Sequence, residues 1–261
     1  MPKVKEIEAK IFEWAPRELA FPTDNIGHLI GDRGTDVHKI LVALDITPNV
    51  IREAIALKAE LIVSHHPIMN CHWNEVQNVR ADTLQGGMIM ELIRNGISAI
   101  CMHTNLDCAK GGVNDCLAQK LGLHRISALS RDKIGRIGTL SSKIGLAEFL
   151  SNVVQLLEAN GLRYRDAGLP VHKVAVGGGA CGDYMDQAIA AGCDTFVTAD
   201  LKYNHFLDHP QINIIDAGHF PTENVVCPAI VAYLQKKFPK VETVRSASHR
   251  DVIEYYISEN H

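Results

Sequence analysis

The sequence predicts an α/β protein built as two closely packed halves. Two observations carry this. Short apolar runs suited to buried strands recur along the whole chain, and segments with helical periodicity lie between them. No Ser/Pro/Gly-rich linker divides the 261 residues, and residues 127–136 form the loosest stretch. A chain of this length is one large domain or two small ones and buries about 70% of its unfolded surface, enough for a core without disulfides or structural metal.

The elements follow in order. Val4, Ile7, Ile11 and Phe12 fit one helical face that closes near Pro16. FPTDNIGHLIGD is rich in turn formers and is expected to be a loop. KILVALDI suits a buried strand. Thr47 and Pro48 then read as N-cap and first residue of a helix bearing Val50, Ile51, Ala54, Ile55 and Leu57. ELIVSHHP is the next strand, and this strand–helix–strand unit favours a parallel sheet covered on both faces.

The pattern repeats. Leu84–Arg94 is expected to be a helix stopped by Gly96, ISAICMH a strand, and residues 112–121 a helix ended by Gly122. RIGTLS reads as a strand and GLAEFLSNVVQLLEANG as a long helix. KVAVGGG, DTFVTAD and INIIDAGH are three further strands. Pro221 is expected to open one helix running through VVCPAIVAYLQKKF, and the strands VETVRSA and VIEYYIS close the chain.

Composition excludes several classes. Hydrophobic residues make up 46% and charged residues 21%, which argues against disorder, fibres and coiled coils. No apolar run approaches the ~18–20 residues of a membrane span. The N-terminus mixes charge with apolar residues and has no signal-peptide core, so a cytoplasmic location is expected. Lys and Arg total 26 against 30 Asp and Glu, and the net charge of −4 supplies no global basic field for nucleic acid. Seven Cys without a CxxC pair read as buried thiols.

The unusual count is 13 His. Three polar clusters end apolar strands, the edge where α/β sheets form sites. They are Ser64-His65-His66-Pro67, His103-Thr104-Asn105-Leu106-Asp107 and Gly218-His219-Phe220-Pro221-Thr222-Glu223. Imidazole and carboxylate together suit zinc, iron, manganese or cobalt. His103 and Asp107 are four residues apart, as are His219 and Glu223. Adjacent His on a regular strand point to opposite faces, but at a frayed strand end both can turn to one cavity. A single His at a strand end commonly serves structure alone; three such clusters make the metal case. A carboxylate among several His can bridge two cations ~3.5–4 Å apart.

Other signals are weaker. Gly177-Gly178-Gly179 after KVAV lacks a full phosphate-loop pattern and reads as a tight turn. His72 and Trp73 fit a pocket wall or an exposed loop. Asp208, His209 and Pro210 look like a helix end, and Lys236-Lys237 like a solvated helix face.

DNIGHLIGD resembles the DNxGLxxG opening of the Nif-three-like proteins, often named GTP cyclohydrolase 1 type 2 homologs. LIVSHHP, HTNLDCAKGGVND, VAVGGGA, DTFVTADLKY and DAGHFPTENVV follow in that family's order, from about residue 24 to residue 226. The resemblance implies two intertwined α/β repeats with mixed sheets. On that pattern residues 1–126 form the first half, residues 127–240 the second, and residues 241–261 return to the first. It implies a homo-oligomer, a toroidal hexamer with metal sites facing an internal cavity. By matching motifs, His65, His66, Asp107, His219 and Glu223 would bind two divalent metals (Zn, Fe, Mn or Co), with His103 close by; His103 and Glu223 would move protons. The implied reaction converts GTP to 7,8-dihydroneopterin triphosphate and formate. A metal-dependent nucleotide phosphoesterase and a non-catalytic metal-binding scaffold are the alternatives. Two departures stand out. His28 occupies a position where members often have Leu. Where members often carry TGDxxYH, Thr198-Ala199-Asp200-Leu201-Lys202-Tyr203 is followed by Asn204, with His205 one place later.

Overall fold

A computed structural model describes residues 1–69 and 79–256. The chain divides into two compact units: Met1–Lys110 with Cys227–Arg250, and Gly111–Val226 with Asp251–His261. His72, Trp73 and Cys71 lie outside the described residues.

The first unit opens with α1 (Val4–Trp14), which buries Val4, Ile7 and Ile11. Glu8 is buried beside them, 3% exposed. Two guanidiniums pair with its carboxylate there: Arg17 Nη2 at 2.9 Å and Arg33 Nη2 at 2.7 Å. The expected loop that follows contains a strand, β1 (Gly27–Ile30). Four residues at a sheet edge, flanked by turn formers, leave no apolar run to signal it. Next come β2 (Lys39–Ala43), α2 (Pro48–Leu57) and β3 (Leu61–Ser64). The Val50 N–H donates to Thr47 Oγ1 at 3.3 Å, so Thr47 caps α2 as its residue type dictates. Then follow α3 (Leu84–Arg94), β4 (Ser98–Cys101) and a short helix absent from the sequence reading, α4 (Thr104–Cys108). Gly96, between α3 and β4, has φ +65°, the left-handed conformation that glycine adopts without strain.

The second unit contains α5 (Val113–Lys120), β5 (His124–Ala128), β6 (Arg136–Ile144), α6 (Leu146–Leu157), β7 (Arg163–Arg165), β8 (Val171–Val176), α7 (Met185–Ala190), β9 (Thr195–Thr198), α8 (Tyr203–Asp208), β10 (Asn213–Asp216) and α9 (His219–Glu223). β5 and β7 carry no strand signal in the sequence, because their residues are largely exposed and show no apolar run. The chain then re-enters the first unit with α10 (Cys227–Lys237) and β11 (Glu242–Arg245). The single helix expected from Pro221 is thus broken. α9 begins two residues before Pro221, one 3-10 turn follows, and a new helix starts at Cys227 with Pro228, which has no N–H to give, in its first turn. The expected strand VIEYYIS is irregular over residues 252–256, and its last two residues lie outside the described set.

Both sheets are mixed. The first has the order β1-β4-β3-β2-β11, all parallel except the antiparallel edge strand β1. The second has the order β5-β6-β8-β9-β10-β7; β8, β9 and β10 are parallel and the rest antiparallel. Each unit has its own core. Leu41, Val50, Ile51, Ile62, Ile89 and Leu92 belong to the first, and Leu117, Phe149, Val153, Val174, Val197 and Ile215 to the second. Each such apolar side chain contributes ~1.5–3 kcal/mol on burial. The central parallel strands are therefore buried on both faces, which is why they read as unbroken apolar runs.

Six described cysteines are free, five of them buried. No helix among the described residues is long and apolar enough to cross a membrane.

Candidate metal centre

In the first unit, β3 ends at Ser64 and the alternation of side chains ends with it. The N–H groups of His65 and His66 both donate to one carbonyl, Leu44 O, at 3.1 and 2.9 Å. That shared acceptor bends the backbone out of strand geometry, and the two rings come to lie 4.9 Å apart, centroid to centroid. His65 is fully buried and His66 half-buried. His103 sits just past β4, at the residue preceding α4, with its ring centroid 5.3 Å from His65 and 5.7 Å from His66. One ring nitrogen from each of these three His lies within 4.8 Å of the others, a set able to hold a metal ion. Asp107, one helical turn after His103 and 8% exposed, places Oδ1 3.6 Å from His65 Nε2.

The fit to a cation rests on what holds each ring. His65 Nδ1 lies 2.8 Å from Met102 O, His66 Nδ1 2.6 Å from Asp45 Oδ1, and His103 Nδ1 2.7 Å from Asp24 Oδ1. An acceptor at Nδ1 fixes the proton there and turns Nε2 into the lone-pair nitrogen, the outer support that metal-ligating imidazoles carry. Asp24 does more than hold His103. Its Oδ2 accepts from Thr104 N–H at 3.0 Å and from the Thr104 hydroxyl at 2.6 Å. Burial alone would raise its pKa. The His103 ring and the Thr104 donors outweigh burial and bring it down to about 2.

The second unit carries its own group. β10 leads into Gly218, which at φ +84° turns the chain sharply into α9. His219 Nε2 lies 3.0 Å from Glu223 Oε2, one turn further on, and Glu223 is 4% exposed. His219 Nδ1 is held by Asp200 Oδ2 at 2.6 Å, the same outer support as in the first unit. Asp200 adopts φ +54°, a conformation uncommon for a residue with a side chain. Burial would lower the His219 pKa, but Asp200 and Glu223 together raise it to about 11. His219 and Glu223 could together hold a cation, and binding there would have to release that proton.

The glycine run explains itself at this point. Gly179 has φ +66°, and a Cβ there would lie 2.1 Å from Glu223 Oε1 and 3.2 Å from His219 Nε2. Gly179 N–H donates to Thr222 Oγ1 and Gly178 N–H to the buried Asn114 Oδ1. The run is a tight turn as expected, and its bareness lets β8 end against Glu223.

The structure thus brings His65, His66, His103 and Asp107 together within the first unit, and His219 with Glu223 within the second. Asp24, Asp45 and Asp200 carry no spacing signal: nothing in DNIGHLIGD, KILVALDI or DTFVTADLKY pairs these carboxylates with a ring. His28 lies on β1 with its ring half-buried, and burial lowers its pKa. His205 sits in the first turn of α8 and accepts from Lys202 N–H at 3.2 Å. His209 follows Asp208 at the end of α8, as its surroundings in the sequence suggest.

The family described as Duf34/NIF3 (NGG1p interacting factor 3) matches residues 2–251, and the chain belongs to it. A Clostridium acetobutylicum protein named GTP cyclohydrolase 1 type 2 homolog is 35% identical over 244 residues, covering 90% of this chain and 89% of the relative. A Clostridium perfringens protein of the same name is 32% identical, covering 97% of this chain and 99% of that protein. Among solved structures, a Bacillus cereus protein related to NIF3 superposes with a TM-score of 0.91 at 25% identity, over 98% of this chain and all of that one. A Staphylococcus aureus protein gives 0.90 at 26% identity, over 97% and 99%. The fold is the mixed-sheet α/β fold of this family.

Proposed function

We propose that this protein is a dinuclear, metal-dependent hydrolase of the GTP cyclohydrolase 1 type 2 kind. His65, His66, Asp107, His219 and Glu223 hold two divalent cations per chain. The observation that carries the reading is the common outer support of the ligand rings, each with Nδ1 held by a backbone carbonyl or a carboxylate. His219 and Glu223 join the set through the GHxxxE motif. The names of the Clostridium relatives support the GTP reaction.

Two divalent cations, when bound, lower the pKa of water to about 7 and neutralise developing negative charge. The chain's own residues do the rest. His103, steadied by a fully ionised Asp24, accepts a proton at Nε2 and returns it to the departing nitrogen of the guanine ring. Glu223, buried against Gly179, is the second proton carrier. The net reaction consumes water at C8 of guanine and releases formate, leaving 7,8-dihydroneopterin triphosphate.

The protein acts in the cytoplasm as a homo-oligomer, a toroidal hexamer. The family resemblance supports this assembly, and light scattering that found a monomer at micromolar concentration would contradict it. Elemental analysis should find close to two transition-metal equivalents per chain, and formate should accumulate from GTP. Fewer than one equivalent in metal-replete protein sinks the dinuclear centre. Full occupancy with hydrolysis of a generic phosphodiester instead of formate release moves the assignment to a phosphoesterase. Full occupancy without turnover of any nucleotide makes the protein a metal-binding scaffold.

A further inference from the structure

The carboxylate that holds His66 is itself held. Asp45 Oδ1 lies 2.6 Å from His66 Nδ1, and Asp45 Oδ2 lies 3.0 Å from His249 Nε2. The two carboxylate oxygens are thus divided between two imidazoles. The Asp45 side chain is 40% exposed, whereas that of His249 is 6% exposed. What fixes it is visible one step further out. His249 ends a tight turn after β11, and that turn is wrapped around a single side chain of α2. Glu53 accepts from the Ser246 hydroxyl, from Ala247 N–H at 2.9 Å, and from Ser248 N–H and hydroxyl at 3.1 and 2.6 Å. His249 N–H in turn donates to Ser246 Oγ at 3.2 Å. These donors hold the Glu53 carboxyl below its usual pKa against the opposing effect of burial.

We infer that His249 is a positioning residue for the metal centre: it locks Asp45, which locks the His66 ring. The inference rests on the reading of His66 as a metal ligand. A ligand ring whose acceptor can swing loses both its preferred tautomer and its direction, and outer supports of this kind are worth about 10- to 100-fold in metal affinity. The brace comes from the C-terminal return of the chain, some 180 residues beyond the ligand it steadies. No motif around the His pair could have announced it.

The test is a zinc titration of the full-length, chelator-stripped protein against a chromophoric chelator. His249→Phe keeps ring volume and removes the contact to Asp45; His249→Gln keeps an N–H at similar reach. The expected result is zinc binding weakened about 10- to 100-fold in His249→Phe and restored to within about 3-fold in His249→Gln. Unchanged binding in His249→Phe overturns the inference, and so does equal weakening in both variants, which would mean packing and not the contact. If circular dichroism shows His249→Phe unfolded, Asp45→Ala decides: a loss of about 10- to 100-fold is expected, and wild-type affinity overturns the inference. His66→Ala separates the two levels. It should lose at least one zinc equivalent; if it keeps full zinc content, the ligand reading fails and the inference with it. Loss in His66→Ala with wild-type binding in His249→Phe refutes the positioning role alone.

Discussion

Gly179→Ala should weaken metal binding without replacing any proposed ligand. The added methyl group would sit 2.1 Å from Glu223 Oε1, 3.0 Å from Glu223 Cδ and 3.2 Å from His219 Nε2. Carbon and oxygen need about 3.2 Å, so the Glu223 carboxylate must retreat by about 1 Å. It is 4% exposed and has no open solvent to retreat into. The φ of +66° adds a backbone cost of roughly 1–2 kcal/mol for any residue with a Cβ. Misplacing a ligand by that distance should weaken metal binding by at least 10- to 100-fold, or about 1.4–2.7 kcal/mol. Gly192→Ala isolates the backbone term: φ is +71° in the same unit, but nothing lies within 4 Å of the new methyl group. Urea unfolding of both metal-free variants should show a similar small loss of stability, whereas zinc titration should separate them sharply. Wild-type zinc affinity in Gly179→Ala, or an equal loss in Gly192→Ala, would refute the reasoning.

Three further outcomes are expected. Asp107→Asn keeps shape but removes a buried anion, so at least one metal equivalent should be lost by elemental analysis, while His209→Ala, at the end of α8, should keep both. Replacing both Arg17 and Arg33 by Met should cost ~3–5 kcal/mol in urea unfolding, because Glu8 is left buried without counter-charge; adding Glu8→Leu should recover part of it, and a triple variant no more stable than the double would contradict this. Glu53 has a folded pKa below its unfolded value, so its contribution is present above about pH 4.3 and is lost as pH falls through the depressed folded value. Glu53→Gln should therefore flatten the acid limb of the stability curve, and an unchanged limb would remove Glu53 from that role.

The fold was legible wherever burial on both faces writes an uninterrupted apolar run, as in β2, β3 and β4, and wherever a cap announces a helix, as Thr47 and Pro48 do for α2. It was illegible at the margins of the sheets. β1, β5 and β7 are all edge strands, short or exposed, and their residues answer to solvent and turns more than to a core. The His and carboxylate clusters stood out because strand ends in α/β proteins concentrate chemistry. Their supports did not. Asp24 is 79 residues from His103, Asp45 is 21 from His66, and Asp200 is 19 from His219. A lone Asp carries no periodicity, and only the folded chain shows which ring it holds.

The place of β11 has a consequence for how the protein is made. Val244 pairs with Leu41, so the open edge of β2 waits for a strand encoded about 200 residues later. At ~5–20 residues per second, a ribosome takes about 10–40 s to deliver that strand. Throughout that interval the nascent chain carries a parallel-sheet edge rich in Ile, Leu and Val with no partner, the kind of surface that recruits neighbouring chains. The strands of the second sheet are all encoded before then, so the first-encoded sheet is the last to be completed.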